Sequence, residues 1–435
     1  MFKRNKLLVA AVGASAVLGS GAASAVEFRT SDWTFSATGN INAHYIFTMC
    51  DSTTHVVAGS LLCNTAPGEQ RNSSSIANGL LPTAIVFGAA TTQNDLDIAA
   101  TIGFYPGIAS NDFGLNGPNI PGGGRADLFD LQQNGLDTTN LDLRQVFLTF
   151  GNDTFGEIKM GRDFGLFGYD AIINDMTLPG VGVAQTFAAR SPVNTTLGSI
   201  GFGYIYVDTP AQINYTTPSL AGLTATVGVF QPYDAFNLSG FSAQTTNATS
   251  NQPGFHAKLA YEWAGAVPGF LSVSGITEDV RNLTVANAVG TQVQVPGEAT
   301  QRAYAGDVTA KVTAFGLDFL GSYYYTQGWG HTGFLFDGFD ALGQRRKSTG
   351  YLGQVTYTFG NTKIGANYGV NNLSANPIDP PQLLHQNAKW TVGLYHNLTP
   401  NLTLLTEYSN ARSVNNLPGG DINTQNINVG AFLAF

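Results

Sequence analysis

Polar and apolar residues alternate along much of this chain with a period of two. Between Trp33 and Phe47 the odd positions read Trp33, Phe35, Ala37, Gly39, Ile41, Ala43, Tyr45 and Phe47. The even positions read Thr34, Ser36, Thr38, Asn40, Asn42, His44 and Ile46. A period of two belongs to a strand with unlike faces, since successive side chains point to opposite sides of the sheet. The pattern returns in Phe255–Trp263, where His256, Lys258 and Glu262 interleave with Ala257, Leu259 and Tyr261. It returns again where Val308, Ala310 and Val312 alternate with Asp307, Thr309 and Lys311, and where Ile364, Ala366, Tyr368 and Val370 alternate with Lys363, Gly365, Asn367 and Gly369.

Counted along the chain, such runs predict sixteen strands, near 33–47, 83–91, 95–104, 140–150, 154–163, 209–217, 222–231 and 254–263, then 269–281, 301–314, 316–327, 348–359, 362–371, 388–397, 401–411 and 423–435. The connections alternate in length. Seven are short, such as Thr92-Gln93-Asn94, Gly151-Asn152-Asp153, Phe315 and Gly360-Asn361; eight are long and hold most of the Asn, Gly, Pro and Ser. An even number of antiparallel strands joined this way returns both ends of the chain to one side.

The apolar face is rich in Ala, Gly and aromatics, where the core face of a soluble sandwich would carry larger aliphatics. Only 11% of residues are charged, roughly half the usual share of a soluble domain. After residue 25 no run of 18 apolar residues occurs, so helical spans are excluded. Strands can cross a bilayer only if the sheet closes and leaves no backbone group unpaired in lipid. The expected fold is therefore all-β, a 16-stranded antiparallel transmembrane β-barrel with short turns on one side and long loops on the other. The final run, Ile427, Val429, Ala431, Leu433 and then Phe435, resembles the C-terminal signal by which outer-membrane barrels are recognised for assembly.

Residues 1–25 differ from the rest. Lys3, Arg4 and Lys6 precede an apolar run from Leu7 to Leu18, and Ala23-Ser24-Ala25 closes it. That order predicts a secretory signal peptide and leaves a single barrel domain over 26–435. Without the three leader cations, 17 basic residues face 29 acidic ones, a net charge of −12. That balance is opposite to the basic stripe of a nucleic-acid binder. The two cysteines, Cys50 and Cys63, share the first long loop; in an oxidising compartment a disulfide is expected, with two free thiols as the alternative.

The stretch Leu141–Gly182 carries a resemblance. It reads LDLRQVFLTFGNDTFGEIKMGRDFGLFGYDAIINDMTLPGVG and resembles the trimeric general-diffusion porins of Gram-negative bacteria. The matching elements are Gly161-Arg162, Gly165, Tyr169-Asp170-Ala171, Asp175-Met176 and Leu178-Pro179. The resemblance implies a third loop folded into the barrel, with loop acids facing wall arginines across an eyelet. Arg144, eighteen residues before Arg162, has the spacing of the family's two wall arginines. The constriction set is then Arg144, Arg162 and Arg190 with Asp170, Asp175 and Tyr169. The family's second loop acid is missing, because Pro179-Gly180-Val181-Gly182 stands where a Pro-Glu-Phe-Gly stretch is usual, and one residue is inserted between Gly165 and Tyr169. Opposed charges across a water-filled neck favour one ion sign. Three arginines against two aspartates lean towards anions, while the net charge opposes that lean. Arg144 and Arg162 could also simply stiffen the wall by ion pairing, and Asp170 could bond loop backbone.

Enzyme chemistry has little support. The six histidines (44, 55, 256, 331, 385 and 396) lack metal-ligand spacing, no G-x-S-x-G elbow occurs, and Gly122-Gly123-Gly124 lacks a phosphate loop's Lys-Ser/Thr. No cofactor, catalytic residue or metal site is expected, although calcium between acidic loops stays open. The expected partners are outer-membrane lipid and lipopolysaccharide, small hydrophilic solutes and ions, and, from the resemblance, two further copies in a trimer. The expected function is passive diffusion through an outer-membrane pore. The alternative is a substrate-selective porin for small organic anions or sugars, although the lumen-side charges Lys258, Lys311, Lys363, Glu262, Asp307 and Glu407 are mixed in sign rather than a basic ladder.

Overall fold

A computed structural model describes residues 25–50, 56–62, 72–108, 141–184, 195–245, 250–287, 290–297, 300–333 and 335–435. The expected leader (all but Ala25), Cys63, Gly122–Gly124 and Arg190 lie outside these residues. The strands are β1 (Val26–Arg29), β2 (Thr34–Cys50), β3 (Asn72–Ala77), β4 (Ala84–Gln93), β5 (Leu96–Pro106), β6 (Leu141–Asn152) and β7 (Gly156–Arg162). A single helical turn, α1 (Tyr169–Ile173), precedes β8 (Ala211–Thr216), β9 (Leu223–Phe230), β10 (Gln244–Thr245), β11 (Gly254–Trp263) and β12 (Gly269–Val280). Then follow β13 (Leu283–Ala286), β14 (Gln292–Gln294), β15 (Gln301–Ala314), β16 (Leu317–Gln327), β17 (Lys347–Phe359), β18 (Thr362–Leu373), β19 (Leu384–Asn397), β20 (Leu402–Asn415) and β21 (Asp421–Ala434).

Successive strands pair antiparallel from β4 to β9, then through β11, β12 and β15 to β21, and β21 returns to β2. β3 and β4 both pair with β2, at Met49–His44 and Asn40–Thr34 respectively. They form one interrupted stave, so the closed ring has sixteen staves, as the alternation predicts. The interruption is a departure from the sequence reading, which starts this stave near residue 83. Asn72–Ala77 (NSSSIA) reads as loop because its side chains are small and polar, yet its backbone completes the ladder. Short β10, β13 and β14 form a separate sheet in the long connections.

The ring closes where Asn40 pairs with Ala434, and Phe435 and Gly39 exchange backbone hydrogen bonds at 2.8 and 3.0 Å. At the short turns the chain reverses through left-handed backbone. Asn94 and Asp95 both have positive φ (51° and 62°), as do Phe315 and Gly316 (55° and 80°), the signature of a tight turn whose twist matches its flanking strands.

The alternation sorts side chains by face. Ile41, Tyr45, Phe87, Leu148, Leu259, Val273, Phe319, Tyr323, Tyr368, Val392 and Val429 are exposed on the outer wall, where a bilayer would meet them. Inward positions of β2, including Asn40, Asn42 and His44, are buried. The apolar core comes largely from connecting segments: Leu61, Leu62, Leu178, Val183, Ile200, Phe202, Phe236 and Phe336 pack with the wall residues Leu320 and Leu352.

Candidate pore constriction

The connection between β7 and β8, residues 163–210, starts and ends on one side of the ring and bonds to the other. Its first turn is anchored near its origin: Gln212 Nε2 donates to the Asp163 carbonyl (2.5 Å), and the Gly165 amide donates to the Asp208 carbonyl (3.0 Å). At α1 the segment meets β11, where Lys258 Nζ reaches Asp170 Oδ2 at 3.2 Å and lies 4.8 Å from the Tyr169 ring centre. Just past α1, the Met176 amide donates to Gln354 Oε1 (2.7 Å) and Gln354 Nε2 donates to the Asn174 carbonyl (2.9 Å), on β17. On β20, Glu407 Oε2 accepts from the amides of Val181 and Gly182, both at 2.8 Å. Asn426 of β21 donates to the Gly182 carbonyl (3.0 Å), and the amides of Leu80 and Leu81 donate to the carbonyls of Gly180 and Leu178. Gln354, Glu407 and Asn426 are inward positions of their strands.

The return limb, residues 195–210, is held from the same direction. Asn387 of β19 donates to the Gly201 carbonyl (3.0 Å), Asn371 of β18 to the Tyr204 carbonyl (3.3 Å), and the Tyr206 amide donates to the Thr332 carbonyl (2.8 Å). Glycines permit the close packing. A Cβ on Gly369 would lie 1.9 Å from the Phe202 carbonyl oxygen, and one on Gly180 would lie 2.1 Å from Glu407 Oε1.

The sequence-derived residues separate by environment. Asp170 and Tyr169 are half-buried and share Lys258. Asp175 is only 1% exposed. Its carboxylate accepts from the Tyr204 hydroxyl (2.8 Å), Asn367 Nδ2 (3.2 Å) and the Thr177 amide (3.0 Å). Arg144 is half-buried on β6, where a bulge sets it beside Gln145. It pairs with Asp142 at 3.0 Å and lies 5.6 Å from the Tyr105 ring centre. Gln145 accepts from the Tyr105 hydroxyl and donates to Asp163 Oδ1 (2.8 Å), which also takes Lys159 Nζ on its other oxygen at 2.5 Å. Arg162 stands at the exposed end of β7, in register with Val146 and Ala211. Its charge still reaches Asp208, whose carboxyl burial pushes up and whose ionised form Arg162 and Arg144 favour. Cys50 ends β2.

Three groups were not singled out from sequence. Lys258 and Glu407 were read only as lumen-side charges, and their bonds to a segment far along the chain left no local pattern. Arg346 was not singled out at all. It is fully enclosed in the long connections, holding Asp379 with Nε and Nη2 at 2.8 and 2.6 Å. Its other bonds go to Ser242 Oγ (2.7 Å) and to the carbonyls of Asp337, Phe339 and Phe241. It thereby ties residues 241–242, 337–339 and 379 together. Among the described residues, no group of His, Cys, Asp and Glu is arranged to hold a metal ion.

A closed antiparallel ring with an apolar outer wall, a polar inner face and a charged segment bonded across it defines an outer-membrane barrel channel. The family model for Gram-negative porins matches residues 9–416, and the chain belongs to that family. Solved structures share the fold at low identity. The outer membrane channel DcaP of Acinetobacter baumannii superposes with a TM-score of 0.64 at 12% identity, covering 94% of this chain and 99% of its own. The anion-selective porin from Comamonas acidovorans gives 0.55 at 12% identity, covering 93% and 100%. OmpF of Salmonella typhi, solved with daunomycin, gives 0.55 at 14% identity, covering 94% and 100%. No curated protein matches the sequence. The protein is a porin of the bacterial outer membrane, a channel for passive diffusion of small hydrophilic solutes, in a family of channels rather than enzymes.

Proposed function

We propose that residues 163–210 are the folded-in third loop, and that the eyelet lies between its half-buried face and the wall of β5–β11. The observation that carries this reading is the set of loop-to-wall bonds on β17 to β21, which pin the segment across the ring from β7. The eyelet charges are then Arg144 with Asp142 and Lys258 with Asp170, and Tyr169 lines the passage. Arg162 contributes from the rim, and Arg190 remains a candidate third arginine. Asp175 acts as an anchor, because its carboxylate is enclosed and bonded by three donors. With each eyelet cation facing one carboxylate, the pore discriminates ions only mildly, with a lean towards anions.

Three further proposals accompany this one. Residues 1–25 are a cleaved leader, so the mature barrel begins at Val26. Cys50 and Cys63 form a disulfide that stiffens the first loop. The porin is a homotrimer with one pore per subunit, embedded among lipid and lipopolysaccharide. Single-channel recording in planar bilayers under a salt gradient tests the reading. Large ohmic steps, often in threes, with a reversal potential weakly favouring anions, support it; steps that are absent or very small refute general diffusion and favour a substrate-selective pore.

A further inference from the structure

The mouth on the short-turn side carries its own arrangement of charge. Within about four residues of a short turn, the inward-facing charged residues are Asp97 on β5, Glu157 and Lys159 on β7, Glu262 on β11, Lys311 on β15, Asp318 on β16 and Lys363 on β18, besides Glu27 and Arg29 of β1, which pair with each other at 2.6 Å. Their inward direction follows from the register. Asp97 and Glu157 both stand opposite Gly151, Glu262 opposite Phe270, Phe270 opposite Lys311, and Thr358 opposite Lys363. In their lower halves β19, β20, β21 and β2 present Thr, Ser, Gly, Asn, Ala and apolar side chains inward, apart from Tyr395 and Glu407, which bond each other, Glu407 being also bonded to the folded segment.

These charges are segregated. Lys159 is matched by Asp163 at 2.5 Å, which leaves Asp97, Glu157 and Glu262 on the arc from β5 to β11. The arc from β15 to β18 holds Lys311 and Lys363 against Asp318 alone, and Asp318 also accepts a hydrogen bond from the Thr313 hydroxyl. Among the described residues, Glu157, Glu262, Lys311 and Lys363 form no ion pair. Lys363 Nζ sits 4.9 Å from the Tyr395 ring centre. Counting staves from β2, β7 is the fifth and β18 the thirteenth. Eight apart in a ring of sixteen, Glu157 and Lys363 face each other across the mouth.

We infer that this mouth is a second ion filter in series with the eyelet, with an anion-favouring side along β15–β18 and a cation-favouring side along β5–β11. It rests on the channel assignment and on the eyelet lying further into the barrel. Rings of fixed charge in a water-filled neck weight permeation by sign. Because the two signs occupy different arcs, each can be removed separately and the consequences are opposite.

The experiment compares reversal potentials in a potassium chloride gradient for the wild type, Lys311→Gln/Lys363→Gln, Glu157→Gln/Glu262→Gln, and Lys258→Gln at the eyelet. The lysine pair should move the permeability ratio towards potassium and the glutamate pair towards chloride. About twofold per charge is expected for a unit charge acting through water at roughly 10 Å. Unitary conductance and heat-modifiable migration should stay near wild type, because Glu157 and Glu262 are exposed, Lys311 and Lys363 are half-buried, and none of the four forms an ion pair among the described residues. If both pairs leave the ratio unchanged while Lys258→Gln moves it, or if both move it the same way, the second filter is overturned. A wild type without channel steps would instead overturn the diffusion reading itself.

Discussion

Glu407 offers the sharpest test of how the segment between β7 and β8 is held. Its side chain is 2% exposed, and it accepts from the Val181 and Gly182 amides at 2.8 Å, the Tyr395 hydroxyl at 2.6 Å and Asn428 Nδ2 at 3.1 Å. Glu407→Ala strips all four donors of their acceptor. The two backbone amides cannot turn elsewhere, and each buried donor left unmade costs about 1–3 kcal/mol. Loosening of residues 180–182 by about 2–6 kcal/mol follows, nearer the lower figure where lumen water replaces the carboxylate. The barrel ladder is untouched, so the variant should keep its heat-modifiable band on gels. Single-channel records should change instead, with added current noise and sub-conductance levels as the segment leaves the wall. Glu407→Gln keeps one acceptor oxygen and should fall between. Records from Glu407→Ala as quiet as wild type, at the same conductance, would refute the claim that this carboxylate pins the segment.

Other outcomes follow from the same geometry. Arg346→Met should leave Asp379 as an uncompensated buried charge, a loss of about 3–5 kcal/mol, read as faster protease cleavage within 231–253, 328–346 and 374–383 while the barrel survives. His331, buried in the 328–346 connection, is held below its ordinary value of 6.5 by desolvation; Asp337 opposes this and Arg346 adds to it. The unfolded chain therefore binds the proton first, so protection of these connections should be complete above about pH 6.5 and fall as the pH drops further. Hydrogen exchange should show that slope in wild type and not in His331→Asn. Asp175→Ala should raise current noise with little change in ion selectivity, since the carboxylate holds Tyr204 and Asn367 and does not face the passage; a large selectivity shift would contradict that placement. Under non-reducing conditions the mature chain should migrate faster in denaturing gels than after reduction, and Cys50→Ser should abolish the difference.

The wall was legible because a stave obeys a local rule. Inward and outward residues alternate, and the tight turns announce themselves at Asn94-Asp95 and Phe315-Gly316. Sixteen staves could thus be placed from pattern, while the β3–β4 interruption and the four-residue β1 escaped, since such short runs carry little outward apolar signal. What fills the ring was less legible. Asp170 and Asp175 sit five residues apart on one segment, yet one meets Lys258 in a half-exposed setting and the other is sealed by Tyr204 and Asn367. Nothing beside them in sequence separates them, because the difference is made by Tyr204 on the return limb and by wall residues far along the chain. Arg162 shows a related limit. Gly161 adopts φ 129° in the residue before it, so simple alternation does not fix where its side chain goes.

The seam between β2 and β21 has a consequence for how the molecule is made. Thr38 Oγ1 donates to the Phe435 carbonyl at 2.8 Å, 397 positions away. Every other join in the ring can form between neighbours as the chain emerges, but this one waits for both margins of the sheet. Until then each margin exposes a row of unsatisfied amides and carbonyls, which water tolerates and hydrocarbon does not. The nascent sheet is therefore barred from sinking into lipid as a finished slab. Insertion and closure are coupled into a late, slow step, and substitutions along this one join should delay biogenesis far more than they weaken the completed pore.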